Sequence, residues 1–181
     1  AGRVPDKFKM NLDGDVFTVI SQAVGSDGRW FTSLQTFSLE NPIAPARLGQ
    51  LSIAPGEQVF ATRFDGKKCY VVTFLRIDPL WIVDLTNPAK PVILGELEVP
   101  GWSTYIEPLG DRLLTVGIDN TNGWRVEVSL FDVRNPAKPS LLDKVFLGEN
   151  SSWSEANSDE KAFNVLAEDG LILLPFQVSS C

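Results

Sequence analysis

The sequence predicts an all-β chain built from repeated antiparallel units of four strands. Three observations support this prediction: a recurring Asn-Pro pair, hairpin patterns between its copies, and the lack of helical periodicity. The Asn-Pro pairs stand at Asn41-Pro42, Asn87-Pro88 and Asn135-Pro136, which are 46 and 48 residues apart. No segment shows the 3.6-residue apolar period of an amphipathic helix. A repeat at this spacing indicates one structural unit that is used several times.

Each Asn-Pro pair lies in a similar eight-residue connection. The second and third connections read DLTNPAKP from Asp84 to Pro91 and DVRNPAKP from Asp132 to Pro139. The first, SLENPIAP, has Ser38 in place of the leading aspartate. Asp and Asn side chains hydrogen-bond nearby backbone in turns, and Pro fixes φ. We therefore predict a turn that leads into the outer strand of each unit. Peptide recognition by the proline pairs is the alternative.

Between these connections, strand patterns alternate with short turns that contain glycine. The turns are centred on Asp13-Gly14, Asp65-Gly66, Gly110-Asp111 and Asp169-Gly170. Such residues tolerate the positive φ of tight hairpins. Four antiparallel strands every 46–48 residues are typical of a β-propeller blade. The predicted blades span residues 7–53, 58–98 and 102–147, with an incomplete fourth blade over 161–178.

Composition and charge restrict the function classes. The chain has 23 Asp and Glu against 16 Lys and Arg, which gives a net charge of −7. Binding to nucleic acid depends on cationic contacts to phosphates and is therefore not expected. No apolar run reaches the ~20 residues of a membrane-spanning helix, so membrane insertion is not expected either. The chain has no histidine, which excludes a Ser-His-Asp or Cys-His site built from its own residues.

The two cysteines and the chain ends raise two further expectations. Cys69 and Cys181 are too few for a disulfide framework but could pair with each other. The chain begins at Ala1-Gly2 rather than Met and stops within the fourth predicted blade. Because a propeller closes its ring of sheets, we expect a fragment whose partner is the rest of its own propeller. A ring completed by several copies of the chain is the alternative.

The stretch ATRFDGKKCYVVTFLRIDPLWIVDLTNPAKPVILGELEVPGWSTYIEP resembles secreted prokaryotic β-propeller domains, distantly related to Trp-Asp-repeat propellers. VSLFDVRNPAKP and SWSEANSDEKAF continue the resemblance, which covers roughly residues 51–176. The resemblance implies a propeller that is secreted or in the cell envelope, with no established enzymatic activity. In the family pattern, histidine often stands where this chain has Glu107 and Glu160. Any ligand role of those histidines would be altered here.

The inner strands of a propeller line its axial channel, where ligands usually bind. Aligning the hairpin turns places Arg63, Glu107 and Val165 at equivalent inner-strand positions. We therefore predict that Arg63 and Glu107 face each other from neighbouring blades, as a structural ion pair or as part of a ligand site. Trp102 and Trp153 enter inner strands, where each could stack on a sugar ring or pack between blades.

The segment GENSSWSEANSDEKAF (148–163) concentrates acidic residues. It carries Glu149, Glu155, Asp159 and Glu160. Carboxylates of this kind suit Ca²⁺, and two of them at a suitable separation could catalyse hydrolysis. The spacing matches no calcium loop, however, and carboxylates also keep a polar loop solvated. Glu155, Asp159 and Glu160 are therefore weak metal candidates, and Glu155 and Glu160 are also candidates for the ligand site.

Three functions follow from these observations. The first hypothesis is a non-enzymatic extracytoplasmic propeller, without a cofactor, that binds or scaffolds protein or polysaccharide partners. The second is a carboxylate-dependent hydrolase at the mouth of the channel. The third is a structural propeller stabilised by calcium.

Overall fold

The computed structural model describes residues 2–74, 78–99, 101–121, 123–148 and 151–178. These residues form three four-stranded antiparallel sheets and two short two-stranded sheets, which confirms the predicted all-β propeller of about three and a half blades. The described residues contain no α-helix. Nor does any helix in these ranges have the length and apolar character needed to span a membrane.

Each of the three complete sheets is a meander in which the strands follow chain order. The first sheet contains β1 (Met10–Asp13), β2 (Val16–Val24), β3 (Trp30–Ser38) and β4 (Ala46–Gly56). The second contains β5 (Gln58–Asp65), β6 (Lys68–Phe74), β7 (Asp78–Asp84) and β8 (Val92–Val99). The third contains β9 (Trp102–Leu109), β10 (Arg112–Asp119), β11 (Arg125–Asp132) and β12 (Ser140–Leu147). The first strands β5 and β9 lie against each other, so the first strand of each sheet is the inner one.

The fourth unit consists of two short strand pairs. β13 (Ser152–Trp153) pairs with β16 (Gln177–Val178), and β14 (Asn164–Leu166) pairs with β15 (Leu171–Leu173). Residues 154–163 separate β13 from β14 and include two 3₁₀ turns, Glu155–Asn157 and Glu160–Ala162. The unit thus includes Ser152–Trp153, ahead of the start near residue 161 that the sequence predicts, because an insertion divides its inner strand.

Apolar cores between successive sheets hold the blades together. The core between the first and second sheets includes Ile20, Leu34, Val71 and Val83, with Trp81 packed against it. The core between the second and third sheets includes Tyr70, Ile82, Ile106 and Phe131. Successive residues of a strand point to opposite faces, so β6 is buried on both sides and its sequence is almost continuously apolar. Full burial of each aliphatic or aromatic side chain contributes ~1.5–3 kcal/mol to stability.

Cys69 lies in the core between the first and second sheets. It is buried and forms no disulfide with another described residue, and burial raises the pKa of its thiol well above the ordinary value. Cys181 lies outside the described residues, so the pairing of the two cysteines stays a prediction.

The Asn-Pro connections form the predicted turns. In the second and third, the side-chain oxygens of Asn87 and Asn135 accept hydrogen bonds from the backbone N–H groups of Ala89 and Ala137, at 3.1 and 3.2 Å. The leading aspartates act in the same way two residues ahead; Asp84 accepts from the N–H of Thr86 at 2.8 Å. These side-chain bonds fix the backbone before each outer strand.

Each of the second and third turns also packs against a glycine in the outer strand of the preceding sheet. A Cβ atom at Gly49 would lie 2.5 Å from the carbonyl oxygen of Pro88, and one at Gly95 would lie 2.2 Å from that of Pro136. Real Cβ atoms do not approach backbone oxygens this closely. The turns are therefore contacts between blades, and each requires glycine on the opposing strand.

Candidate functional site

The inner strands of all four units are interrupted at the same distance from their hairpin turns. In β5 and β9, bulges leave Phe60 and Thr104 without a cross-strand partner. In the first unit, residues 4–9 lie between the bridge formed by Arg3 and the start of β1. In the fourth, residues 154–163 divide the strand. Bulges and insertions of this kind redirect side chains and are common beside functional sites.

These four interruptions line one cleft of about 410 Å³, which we call the inner-strand cleft. Its walls come from the 3₁₀ turn Lys7–Lys9, from β5 and β9, and from the insertion 154–163 of the fourth unit. The volume lies within the usual range of small-molecule sites. The cleft is therefore large enough to hold a small ligand or a segment of a longer one.

Lys9 places a buried ammonium group in the inner-strand cleft, with only 2% of the residue exposed. Its Nζ donates to the carbonyl oxygen of Phe60 at 2.9 Å and lies 2.8 Å from Oδ2 of Asp6. An ammonium group has three donor hydrogens. Within the described parts of the chain, these two contacts leave one hydrogen for a further acceptor.

Asn157 supplies a second donor from the insertion of the fourth unit. Its Oδ1 accepts a hydrogen bond from Oγ1 of Thr104 at 3.3 Å. Its Nδ2 is buried and has no hydrogen-bond partner among the described residues. Such a buried donor costs ~1–3 kcal/mol, which an acceptor on a ligand would offset.

Tyr105 is fixed at the edge of the cleft by contacts on both sides. Its ring packs edge-on against Phe8 and Phe163, with centroid distances of 6.2 and 5.3 Å. Its hydroxyl donates to Oε2 of Glu107 at 3.0 Å. Burial, followed by the charge of Glu107, raises the pKa of Tyr105, so this hydroxyl stays protonated as a donor at neutral pH.

Arg63 and Glu107 come together as the sequence predicts. Nη2 of Arg63 lies 3.2 Å from Oε2 of Glu107, and the guanidinium group lies 5.7 Å from the centre of the Tyr105 ring. Both side chains are partly exposed, so the pair contributes only ~0–1 kcal/mol to stability. A ligand-binding role for the two residues stays a prediction.

The acidic candidates of the fourth unit are dispersed. Glu160 lines the inner-strand cleft and forms an ion pair with Lys7, whose hydrogen bond lowers the pKa of Glu160. Asp159 and Glu155 are exposed, and Oδ1 of Asp159 accepts the backbone N–H of Lys161 at 3.0 Å. In the described ranges, no three His, Cys, Asp or Glu side chains form a group that could hold a metal ion. Calcium binding stays a prediction, and Glu149 lies outside those ranges.

Of the two candidate tryptophans, the structure describes the side chain of Trp153 but not that of Trp102. Trp153 is 47% exposed on β13 and borders a shallow depression of about 180 Å³ with Phe176 and Glu155. Trp102 begins β9, but its side chain lies outside the described part of the structure. Trp153 thus offers an aromatic surface next to the insertion that forms the cleft.

Sequence reasoning missed Lys9 and Asn157, the two buried donors of the cleft. A length difference marks the insertion that carries Asn157. Gly110, at the first turn position of the third unit, comes eight positions after Trp102, whereas the equivalent Glu168 comes fifteen positions after Trp153. No comparable signal marks Lys9, because it falls within the first predicted blade, 7–53, at a polar position of an alternating strand pattern.

Comparison with known proteins agrees with this architecture. A family model described as a beta propeller domain matches residues 1–180. An uncharacterized protein of Methanocaldococcus jannaschii is 41% identical over 117 residues, covering 64% of this chain and 18% of that protein. An uncharacterized protein of Archaeoglobus fulgidus is 37% identical over 119 residues, covering 66% of this chain and 19% of that protein. The match thus spans less than a fifth of either relative's length. The family model covers nearly all of this chain, which therefore belongs to the beta propeller domain family.

Proposed function

We propose that this chain is a non-enzymatic binding module that acts outside the cytoplasm and holds a segment of polysaccharide in the inner-strand cleft. The observation that carries the proposal is the pair of buried donors, the Nζ of Lys9 and the Nδ2 of Asn157, in one cleft. Both can donate to hydroxyl, ring or carboxylate oxygens. A chain of sugar units offers such acceptors at every residue.

The surface beside the cleft supports a carbohydrate ligand over a peptide. Trp153 and Phe176 are each 47% exposed around the shallow depression that also contains Glu155. Indole and phenyl faces stack on the apolar face of a sugar ring, while a nearby carboxylate accepts its hydroxyl hydrogens. A polysaccharide is long enough to contact both the cleft and this aromatic surface.

The ion pairing of the carboxylates favours binding over hydrolysis. A glycoside hydrolase needs a carboxylic acid whose pKa is raised, so that it stays protonated near neutral pH. Glu160 has a lowered pKa because it accepts a hydrogen bond from Lys7. Asp6 is paired with Lys9, and Glu107 with Arg63. Each of these three carboxylates lies beside a cation, whereas the general acid of a glycosidase lies in an apolar pocket.

Calorimetric titration with two soluble polysaccharides tests the proposal: polygalacturonate, which carries carboxylates, and dextran, which is neutral. We expect Asn157→Ala to weaken binding to at least one of them about 10-fold, the equivalent of one hydrogen bond. Lys9→Met should weaken the binding of polygalacturonate more than the binding of dextran. Lys138→Met, on an exposed Asn-Pro turn, is the matched control and should bind like the parent chain.

Three results would contradict the proposal. Equal binding by the parent chain and both cleft variants would place the ligand elsewhere. Release of reducing ends from either polysaccharide, lost in Glu107→Gln or Glu160→Gln, would support the hydrolase instead. If neither polysaccharide binds but a peptide or protein partner does, and Asn157→Ala weakens that binding, the ligand class is wrong.

The extracytoplasmic location rests on the resemblance to secreted propellers. Fractionation of cells that express the full-length protein, with antibodies raised against this chain, tests it directly. Recovery from the cytoplasmic fraction alone would refute the location without affecting the cleft.

A further inference from the structure

The outer half of the third sheet is more exposed on one face than the outer halves of the first and second sheets. Leu34 of β3 and Leu80 of β7 pair with Leu51 and Leu97 of the neighbouring outer strands, and both are fully buried. The equivalent residue of β11 is Val128, which pairs with the half-exposed Val145. Val128 itself is only half-buried. The face that the first and second sheets bury on their neighbours is therefore open on the third sheet.

The open face forms one side of a groove of about 480 Å³. The other side is the β14–β15 hairpin, through Leu171 and Ile172. Strand β15 pairs with β14 along one edge, and in the described residues its other edge has no partner. The equivalent strands β6 and β10 pair along both edges. The groove and the free edge thus meet where the third and fourth strands of a complete fourth sheet would lie.

The groove continues the core between the third sheet and the fourth unit. That core includes Leu114, Val116 and Phe163, with Val128 and Leu130 packed against its margin. Leu114, Val128 and Leu130 also line the groove. An apolar strand in the groove would extend this core outward, as β7 does between the first two sheets.

Asp143 stands where the other outer strands have glycine. Gly49 pairs with Thr36 and Gly95 with Ile82, and each pair directly precedes a bulge in the outer strand. In the third sheet, Leu130 pairs with Asp143 at the same point before the same bulge. An Asn-Pro turn could not pack there as it does on Gly49 and Gly95, because the Cβ of Asp143 occupies the place of the turn's carbonyl oxygen.

The charge at this position indicates what replaces the turn. Asp143 is exposed and lines the groove, and it accepts a hydrogen bond from the N–H of Lys144 at 2.8 Å. Neither of the two cations that line the groove with it, Arg112 and Lys144, forms an ion pair with Asp143; the Nζ of Lys144 lies 2.9 Å from Oε1 of Glu127. A carboxylate repels a carbonyl oxygen and attracts a cationic donor.

We infer that the groove binds a two-stranded β-segment that pairs with β15, packs apolar side chains on Val128 and Leu130, and places a Lys or Arg against Asp143 in place of an Asn-Pro turn. The segment completes the fourth sheet. This inference is independent of the inner-strand cleft. The cleft is lined by the inner strands, whereas the groove lies at the outer half of the third sheet.

The test extends the full chain at its C-terminus with one of two hairpins on a flexible Gly/Ser linker, which raises the effective concentration to about millimolar. The first hairpin copies Arg125–Leu147 and keeps the Asn-Pro turn. The second is the same copy with its Arg134–Pro139 connection replaced by Asn-Gly-Lys. Each is joined to the parent chain and to Asp143→Gly, and the melting temperature of every protein is compared with that of its unextended form.

We expect the lysine hairpin to raise the melting temperature of the parent chain by at least about 4 °C, and the Asn-Pro hairpin to raise it less. Asp143→Gly introduces the glycine that the first two sheets have at the equivalent position. In this variant, the Asn-Pro hairpin should raise the melting temperature more than the lysine hairpin does. Leu130→Asp, a change within the groove, should abolish both gains.

The same ranking of the hairpins on the parent chain and on Asp143→Gly would overturn the role of Asp143. No gain from either hairpin on any chain would overturn the docking surface itself. Sedimentation of the unextended chain distinguishes another occupant: a concentration-dependent dimer that Leu130→Asp abolishes would show that a second copy fills the groove, and would also refute the inference.

Discussion

Replacement of Gly95 by alanine tests whether the Asn-Pro turns are contacts between blades. Gly95 lies in β8 with ordinary strand geometry, so its backbone suits any residue. Without a contact, Gly95→Ala would stabilise the protein by ~0.4–1 kcal/mol, because alanine restricts the unfolded chain more than glycine does. The contact predicts the opposite sign.

The expected magnitude follows from the geometry of the contact. The new Cβ would lie 2.2 Å from the carbonyl oxygen of Pro136 and 3.0 Å from the Cα of Ala137. Both atoms belong to backbone, so the whole turn must retreat by about 0.8 Å to reach the 3.0 Å limit of real contacts. Overpacking of this kind costs ~1–3 kcal/mol, and subtracting the backbone gain of ~0.4–1 kcal/mol leaves a net loss of ~0–2.6 kcal/mol, with ~1–2 kcal/mol around its centre. For a chain of this size the melting temperature should fall by about 2–8 °C.

Thermal and urea unfolding, followed by circular dichroism and tryptophan fluorescence, measure the effect. Gly49→Ala should also destabilise, because its Cβ would lie 2.5 Å from the carbonyl oxygen of Pro88. Asp143→Ala is the matched control, since Asp143 holds the same strand position without a turn packed on it. It should change the melting temperature little. A Gly95→Ala protein as stable as the parent chain, or more stable, would refute the contact between blades.

Two further changes test buried polar groups. Tyr70→Phe should stabilise the protein by ~1 kcal/mol, because the Tyr70 hydroxyl is buried without a hydrogen-bond partner among the described residues; urea unfolding that shows a loss instead would indicate a partner for that hydroxyl. Asp119 is buried, which opposes its ionisation, but hydrogen bonds from Thr121 and Arg125 outweigh burial and lower its pKa. Its stabilising effect is therefore complete above the unfolded-state pKa of ~3.9 and is lost as the pH falls through the lower folded-state pKa. The stability deficit of Asp119→Asn should accordingly shrink as the pH falls from about 5 towards 2, and a deficit that is constant over this range would contradict the lowered pKa.

The repeat made the fold predictable, because three Asn-Pro pairs and four hairpin turns fix the period and the order of the strands. The same alignment predicted that Arg63 and Glu107 approach each other, since both stand two residues before the end of an inner strand. The inner-strand cleft could not be predicted in this way. It arises where the repeat is broken, at the bulged Phe60 and Thr104 and in the insertion that carries Asn157, and a break contains no periodic signal.

The packing of Asn-Pro turns on glycine also bears on how such a protein can grow by internal duplication. A copy of the second unit inserted directly after itself would bring its own turn to Gly95, where the turn could pack without a clash. In the same copy inserted after the third unit, the turn would clash with the Cβ of Asp143 unless that residue mutated to glycine. One position in an outer strand thus decides at which junctions the array can lengthen, and it gives the order of the blades a chemical basis beyond their connection along the chain.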